Sequence, residues 1–251
     1  MPTQPYFVAG KRVPSVTTII GKFKDPGGLM HWAWNTAYEV LAEAHDIILN
    51  EKERYKYLRS NPMGRGNYRS QQQEHCTAGT IAHEYVEKWI KSSEQGRTDF
   101  FDDLTLKTII FEYNVIRDTG LKVQNALQAF KKWIQQNHFQ AIGTEVPLLS
   151  RNHMYGGTLD CPAVISTGRI LFDWKTSSAV YSDYLVQIAA YWMLWDENYP
   201  TEPLTGSDLI RCDKVTADFT HHSFSDLTEA KELFLLYRRA YEILKRLDKR
   251  V

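Results

Sequence analysis

The sequence is short of cysteine, of net charge and of long apolar runs, and each shortage excludes something. Three cysteines in 251 residues, Cys76, Cys161 and Cys212, stand far apart with no CxxC pair. That is too few for a four-thiolate metal cluster and unlike the framework of a disulfide-stapled secreted domain, so a reducing compartment is expected. Thirty basic and thirty acidic side chains cancel, which removes any general attraction to polyanions; a nucleic acid would have to be held by local patches. No apolar run approaches the roughly 18 residues that a membrane span needs. The opening residues "MPTQPYFVAGKRVPS" contain prolines and charges but no continuous apolar core, so the expectation is a soluble, cytoplasmic chain without a membrane partner. Internal repeats are also missing.

What is present is a large apolar inventory: 43% of residues, including 7 Trp, 14 Tyr and 11 Phe, enough for one large domain or two small ones. Residues 29 to 140 show apolar spacings of three and four in "LMHWAWNTAYEVLAEAHDIIL", "AGTIAHEYVEKWIKSSE" and "VQNALQAFKKWIQQ", which predict helices. Between them "SNPMGRGNYRSQQQEH" carries the Gly, Pro and Asn of a loop. From Ala141 the pattern changes to strands, "AIGTEVPLLS", "YGGTLDCPAVI" and "RILFDWKTS", then a helix "SDYLVQIAAYWMLWDEN", two strands near "DLIRCDKVT" and "DFTHHSF", and a terminal helix. The expected class is α/β, in a single domain over 1–251 whose part up to about 140 is mostly helical and whose part from about 141 is the sheet core.

The strand "RILFDWKTS" raises the functional question. Strand side chains alternate, so Ile170, Phe172 and Trp174 share one face while Leu171, Asp173 and Lys175 share the other. This could be an ion pair on a solvated face. The preceding strand is joined to it by "STGR", a hairpin turn; a turn centred on Thr167-Gly168 puts Asp160 opposite Lys175 and diagonal to Asp173, all on one face. Two converging carboxylates repel unless a cation lies between them, and hard oxygen ligands suit Mg2+ or Mn2+, one or two ions. A lysine beside them can orient water or neutralise developing phosphate charge. Phosphodiester hydrolysis needs those groups.

"GTLD", followed after a turn by "FDWKTS", resembles the PD-(D/E)xK nuclease superfamily, with Asp160 as its first acid and Asp173-Trp174-Lys175 as its DxK. More specifically the chain is similar to the RecB-type exonuclease branch, which includes the mitochondrial genome maintenance exonucleases and many phage-encoded relatives. "GTIAHEYVEKW" matches that branch's helical histidine as His83, "QIAAY" its motif after the DxK strand as Gln187 and Tyr191, and "VPSVTTII" its N-terminal motif. The likeness spans roughly residues 13 to 195. It implies a restriction-endonuclease-like core, a mixed central sheet flanked by helices, with a helical N-terminal elaboration. Several relatives hold an iron–sulfur cluster on four cysteines that this chain lacks, so no such cluster is expected.

By the same resemblance, Asp160, Asp173, the Trp174 backbone carbonyl and His83 are the expected metal ligands, and Lys175 the group that assists water. A lone helical histidine is more often structural, and it is the resemblance that makes His83 a ligand. "HEYVE" is no zinc-protease motif, because Glu87 stands where HExxH needs its second histidine. Glu145 is either a further acid at the metal or an exposed strand-end residue. Gln187 and Tyr191, one turn apart, need polar partners, which are either the site or a DNA phosphate, or hydrogen bonds within the core. Ser15, Thr17 and Thr18 are either phosphate donors or a helix cap. Arg54, Lys56, Arg59, Arg65 and Arg69, interleaved with Tyr55, Tyr57 and Tyr68, form a basic and aromatic concentration of the kind that holds single-stranded DNA.

The expectation is therefore a Mg2+- or Mn2+-dependent exonuclease acting on single-stranded DNA ends. A structure-specific or double-strand endonuclease on the same core and a catalytically silent DNA-binding module are the competing expectations.

Overall fold

A computed structural model describes residues 5–24, 34–35, 52, 62–93 and 104–250, the side chains of 62–71 excepted. The chain divides into two compact units, residues 25–80 and the combination of Met1–Lys24 with Ile81–Val251. The larger unit holds every strand among the described residues. Its elements are β1 (Tyr6–Val8), β2 (Lys11–Val13), α1 (Val16–Gly21), α2 (Pro62–Ser93, which begins in the smaller unit), α3 (Leu106–Tyr113) and α4 (Arg117–Gln136). They continue with β3 (Gln140–Ala141), β4 (Val146–Ser150), β5 (Tyr155–Leu159), β6 (Cys161–Ile165), β7 (Gly168–Lys175), α5 (Ser182–Asn198), β8 (Gly206–Cys212), β9 (Phe219–Phe224) and α6 (Thr228–Leu247).

The central sheet is mixed, in the order β3-β6-β7-β8-β9, with only the β7–β8 pair parallel. A parallel pair needs a crossover, and α5 supplies it. The alternation read from "RILFDWK" decides what flanks each face. Phe172 and Trp174 meet α4 through rings: Trp133 lies 5.1 Å from Phe172, and Phe130 5.0 Å from Trp174, both edge to face. Leu171 of the opposite face joins Ile188, Ala189 and Leu194 of α5, Phe234 of α6 and Ile19 of α1 in the main apolar core. The protein is thus a mixed α/β structure whose central sheet is flanked by helices. Among the described residues no helix is long and apolar enough to cross a membrane.

Three sequence expectations need correction. The "SNPMGRGNYRSQQQEH" stretch is not a loop: α2 runs without a break from Pro62. Proline is at home in a first helical turn, and Gly64 and Gly66, at about 1 kcal/mol each relative to alanine, are outweighed by the long run of good helix formers after them. "AIGTEVPLLS" is two strands in different sheets, and so is "YGGTLDCPAVI". β4 and β5 form a two-stranded sheet of their own, with Gly156 of β5 also bridging to Ser15, while β3 and β6 belong to the central sheet. Asp160 is the residue at which the second of these segments changes sheets.

The third correction is the hairpin register. Cys161 pairs with Phe172 and Ile165 with Gly168, leaving Ser166 and Thr167 as a two-residue loop. Relative to a turn centred on Thr167-Gly168 this is a slip of two; the ladder ends at Cys161 and Phe172, and Asp160, one residue past it, is level with Asp173 and not with Lys175. A slip of two preserves the parity on which the shared-face expectation rests.

Candidate functional site

β7 ends in the site. Asp173 is fully buried, and the Lys175 ammonium, itself largely buried, touches its Oδ2. Neither Asp173 oxygen accepts an aligned hydrogen bond from the described protein groups. Burial pushes the Asp173 carboxyl up to about 6, with Lys175 working against the rise. For Lys175, burial disfavours the ammonium, but Asp173 and Asp160 outweigh it and hold the amine above its ordinary value. The lysine is therefore a fixed cation at neutral pH; its Nζ also lies 5.2 Å from the Tyr184 ring centre on α5.

Asp160, at the corner between β5 and β6, is tied down on three sides. Its Oδ2 accepts a 2.9 Å hydrogen bond from the Trp174 backbone N–H, and its backbone carbonyl accepts one of 2.9 Å from the Glu145 N–H. His83 of α2 brings Nδ1 to 3.7 Å from the same Oδ2. Burial raises the Asp160 carboxyl, opposed by Lys175 and the Trp174 N–H. His83 borders an apolar recess formed with Ala82, Val86, Leu127, Phe130 and Trp174. Burial first, and Lys175 second, push the ring down to about 4, while a hydrogen bond with the Trp174 backbone works the other way. The ring is neutral at pH 7, so its contact with Asp160 is not an ion pair, and a neutral imidazole is the form that binds metal.

Glu145 completes the cluster. It precedes β4 instead of starting it, and its backbone is left-handed at φ +50°. One ligand atom each from His83, Glu145 and Asp160 lie within 4.8 Å of one another. Although Glu145 is exposed, the protein around its carboxyl, and then the Asp160 charge, raise it to about 7. One nitrogen and two carboxylate oxygens, beside a buried Asp173 that lacks an aligned donor, make a donor set suited to a hard divalent cation.

Gln187 and Tyr191 partner each other, the Gln187 Nε2 donating to the tyrosine hydroxyl at 3.0 Å. Burial holds the Tyr191 phenol well above its ordinary value, with Asp160 and Asp173 adding to the rise after it. The ring reaches this place because residue 157 is glycine: a Cβ there would lie 2.6 Å from Tyr191 Cε1 and 2.9 Å from Leu194 Cδ1. Gly156 does the same for Tyr6, whose hydroxyl bonds the Thr158 Oγ1 at 2.7 Å. Two glycines in "YGGTLD" thus clear room for two rings beside the acidic corner.

Ser15 is the N-cap of α1. Its Oγ accepts from the Thr18 N–H at 3.1 Å and meets the Thr17 and Thr18 hydroxyls at 3.0 and 2.8 Å, so these residues build the cap of the helix. Tyr57 lies outside the described residues. Arg65, Tyr68 and Arg69 fall on the first turns of α2, with side chains outside the described set.

Sequence reasoning missed Arg211. It is in register with Lys175 across the β7–β8 pair, and its guanidinium donates to the carbonyls of Ser177 and Ser178 at 3.2 and 3.1 Å and to Asp213 at 2.9 Å. Arg211 thereby pins the segment that leaves Lys175 for α5. A basic residue inside the apolar strand "DLIRC" was the available signal.

The sequence matches no protein-family profile and no curated protein. Among solved structures, the chain has a likeness to the one described as "Crystal structure of SSO0001", at 12% sequence identity and a TM-score of 0.34, over 66% of this chain and 87% of that one. A likeness of this degree carries no inference about fold or function.

Proposed function

We propose that the chain is a divalent-metal-dependent deoxyribonuclease of the PD-(D/E)xK type, similar to the RecB-type exonuclease branch and acting on single-stranded DNA ends. The observation that carries this reading is the convergence of His83, Glu145 and Asp160 within 4.8 Å, with Asp160 bonded to the backbone N–H of Trp174, the residue between Asp173 and Lys175. These groups come from a helix, a strand approach, a corner between sheets and a strand end, and a solvated ion pair on β7 would not bring the other three to it.

His83, Glu145, Asp160 and Asp173, with the Trp174 carbonyl, are the residues that would hold Mg2+ or Mn2+. When bound there, such an ion supplies Lewis-acid polarisation of a phosphoryl oxygen and a more acidic water. The protein's own groups do the rest. Lys175 keeps its proton and stands as a positive donor for a phosphate oxygen or an attacking water, oriented by Asp173. Asp160, fixed by the Trp174 and Glu145 backbone, cannot swing away from the cluster. The Tyr191 hydroxyl stays protonated, so with Gln187 it offers a hydrogen-bond donor to an anionic oxygen. The neutral His83 ring offers a lone pair without adding charge.

Digestion of linear and circular, single- and double-stranded DNA with magnesium or with EDTA tests this. Magnesium-dependent shortening of linear single strands supports the exonuclease; nicking of closed circles favours the endonuclease; binding without cleavage favours the silent module.

A further inference from the structure

The helix α6 carries an apolar face that stands exposed beside the one it packs on the described core. Its inward face, with Leu227, Ala230, Phe234, Tyr237 and Tyr241, packs on the main core. A second line, Leu233, Leu236, Ala240, Ile243 and Leu247, is spaced three, four, three and four along the same helix. Its four large members are 38%, 59%, 40% and 48% exposed, and Leu244 beside them 37%. From Glu242 to the end of the helix every residue is exposed, so the last turns reach beyond the core they grow from. A 3-4 spacing is the pattern by which one helix meets another along a seam. From Leu233 to Leu247 there are 14 rises of 1.5 Å, so this seam is about 21 Å long.

The charges along α6 say what the seam meets. Its first turns, with the residues just before them, carry Asp226, Glu229 and Glu232; the later turns and the residues after them carry Arg239, Lys245, Arg246, Lys249 and Arg250. Three charges run against this trend: Glu242, used inside the helix by Arg238 at 3.2 Å, Lys231, which lies over the Trp192 ring at 4.1 Å, and Asp248, which leaves the basic end with four cations to one acid from Lys245 to Arg250. A second α6 laid antiparallel across the first brings each acidic end against a basic one, while a parallel copy would set like against like. Antiparallel pairing also opposes the helix dipoles. Ala240 stands midway between Leu233 and Leu247, so the smallest residue of the line falls at the two-fold axis, where the backbones come closest.

We propose that α6 is a self-association surface: two copies of this chain pair through antiparallel α6 helices about a two-fold axis at Ala240. The interface is isologous, Leu233 meeting Leu247 of the other copy and Leu236 meeting Ile243. Arg239 meets its own counterpart near the axis and opposes the pairing. Together with the short seam this puts the dimer at the weak, concentration-dependent end of the range.

Sedimentation velocity across about 1 to 100 μM chain is expected to move from monomer to dimer. Leu236→Glu and Ile243→Glu, both at exposed positions, should each hold the protein monomeric with an unchanged circular-dichroism melt. A wild-type monomer throughout the range, or a dimer that survives both substitutions, overturns the proposal. Cysteine crosslinking in a Cys76→Ser background reads the direction. Ala240→Cys should oxidise to a disulfide-linked dimer, whereas Leu233→Cys and Leu247→Cys should crosslink when mixed but not alone. Self-crosslinking of Leu233→Cys as fast as that of Ala240→Cys overturns the antiparallel arrangement.

Discussion

Asp160 accepts the Trp174 backbone N–H on its Oδ2 at 2.9 Å, which fastens a corner between two sheets to the strand that carries Asp173 and Lys175. An aspartate at such a corner would ordinarily turn toward water. Here the hydrogen bond and the His83 contact on the same oxygen keep it facing the other acids, and the metal-site reading depends on that orientation.

Asp173→Asn removes a ligand charge and almost no volume, so magnesium-dependent cleavage should be lost while the fold is kept. Retention of more than about a tenth of the activity rejects the assignment. Lys175→Ala should be nearly as inactive yet still bind metal, as read by calorimetry with Mn2+. Loss of Mn2+ binding in that variant would make the lysine a structural counter-ion.

The titrating groups give a pH dependence with a definite sign. A carboxyl whose folded pKa exceeds its unfolded one makes stability fall as pH rises between the two values. Glu145, raised from 4.5 to about 7, Asp173, raised from 3.8 to about 6, and Asp160, also raised, act in this direction. His83, lowered from 6.5 to about 4, acts against them. Between about pH 5 and about pH 6 Glu145 and Asp173 together outweigh His83, so the melting temperature in EDTA should fall across that interval, and magnesium should restore it most at the upper end. A melting temperature that climbs with pH in EDTA would contradict this account of the cluster.

Gly157→Ala should cost about 1–3 kcal/mol, because the new methyl has to displace the Tyr191 ring or Leu194 of a packed helix. Chemical denaturation measures it. A neutral result would mean that α5 gives way freely, and that Tyr191 is not held where the site needs it.

Purified protein should be colourless and iron-free, since Cys161 and Cys212 are buried separately in the sheet and Cys76 is exposed on α2. An absorbance band near about 400 nm would contradict the cysteine argument.

Circular single-stranded DNA should resist the enzyme while a linear strand of the same sequence is shortened. The ground for this is the basic and aromatic segment around Arg54 to Arg69, whose rings favour flexible single strands by roughly 1–3 kcal/mol per stacked base. Efficient nicking of the circle would put the endonuclease ahead without touching the metal-site assignment.

The sequence made the closeness of Asp160 to the strand of Asp173 and Lys175 legible, because strand parity survives a slip of two, although the hairpin register itself was misplaced. The sheet change at Asp160 was hidden. "GTLDCPAVI" reads as one strand, and only pairing partners distant in sequence divide it. Glu145 was visible as an acid but not as a left-handed residue, since a backbone conformation held by the Asp160 carbonyl is set by a contact that no local pattern announces. Composition mistook the start of α2 for a loop because its glycines and proline were weighed singly, while a helix is decided over many turns.

A glutamate at φ +50° has an uncomfortable backbone, for which glycine is the easy occupant. A search for heat-resistant variants would therefore be drawn to Glu145→Gly, and would enrich chains that resist unfolding while the cluster they shelter loses one of its acids.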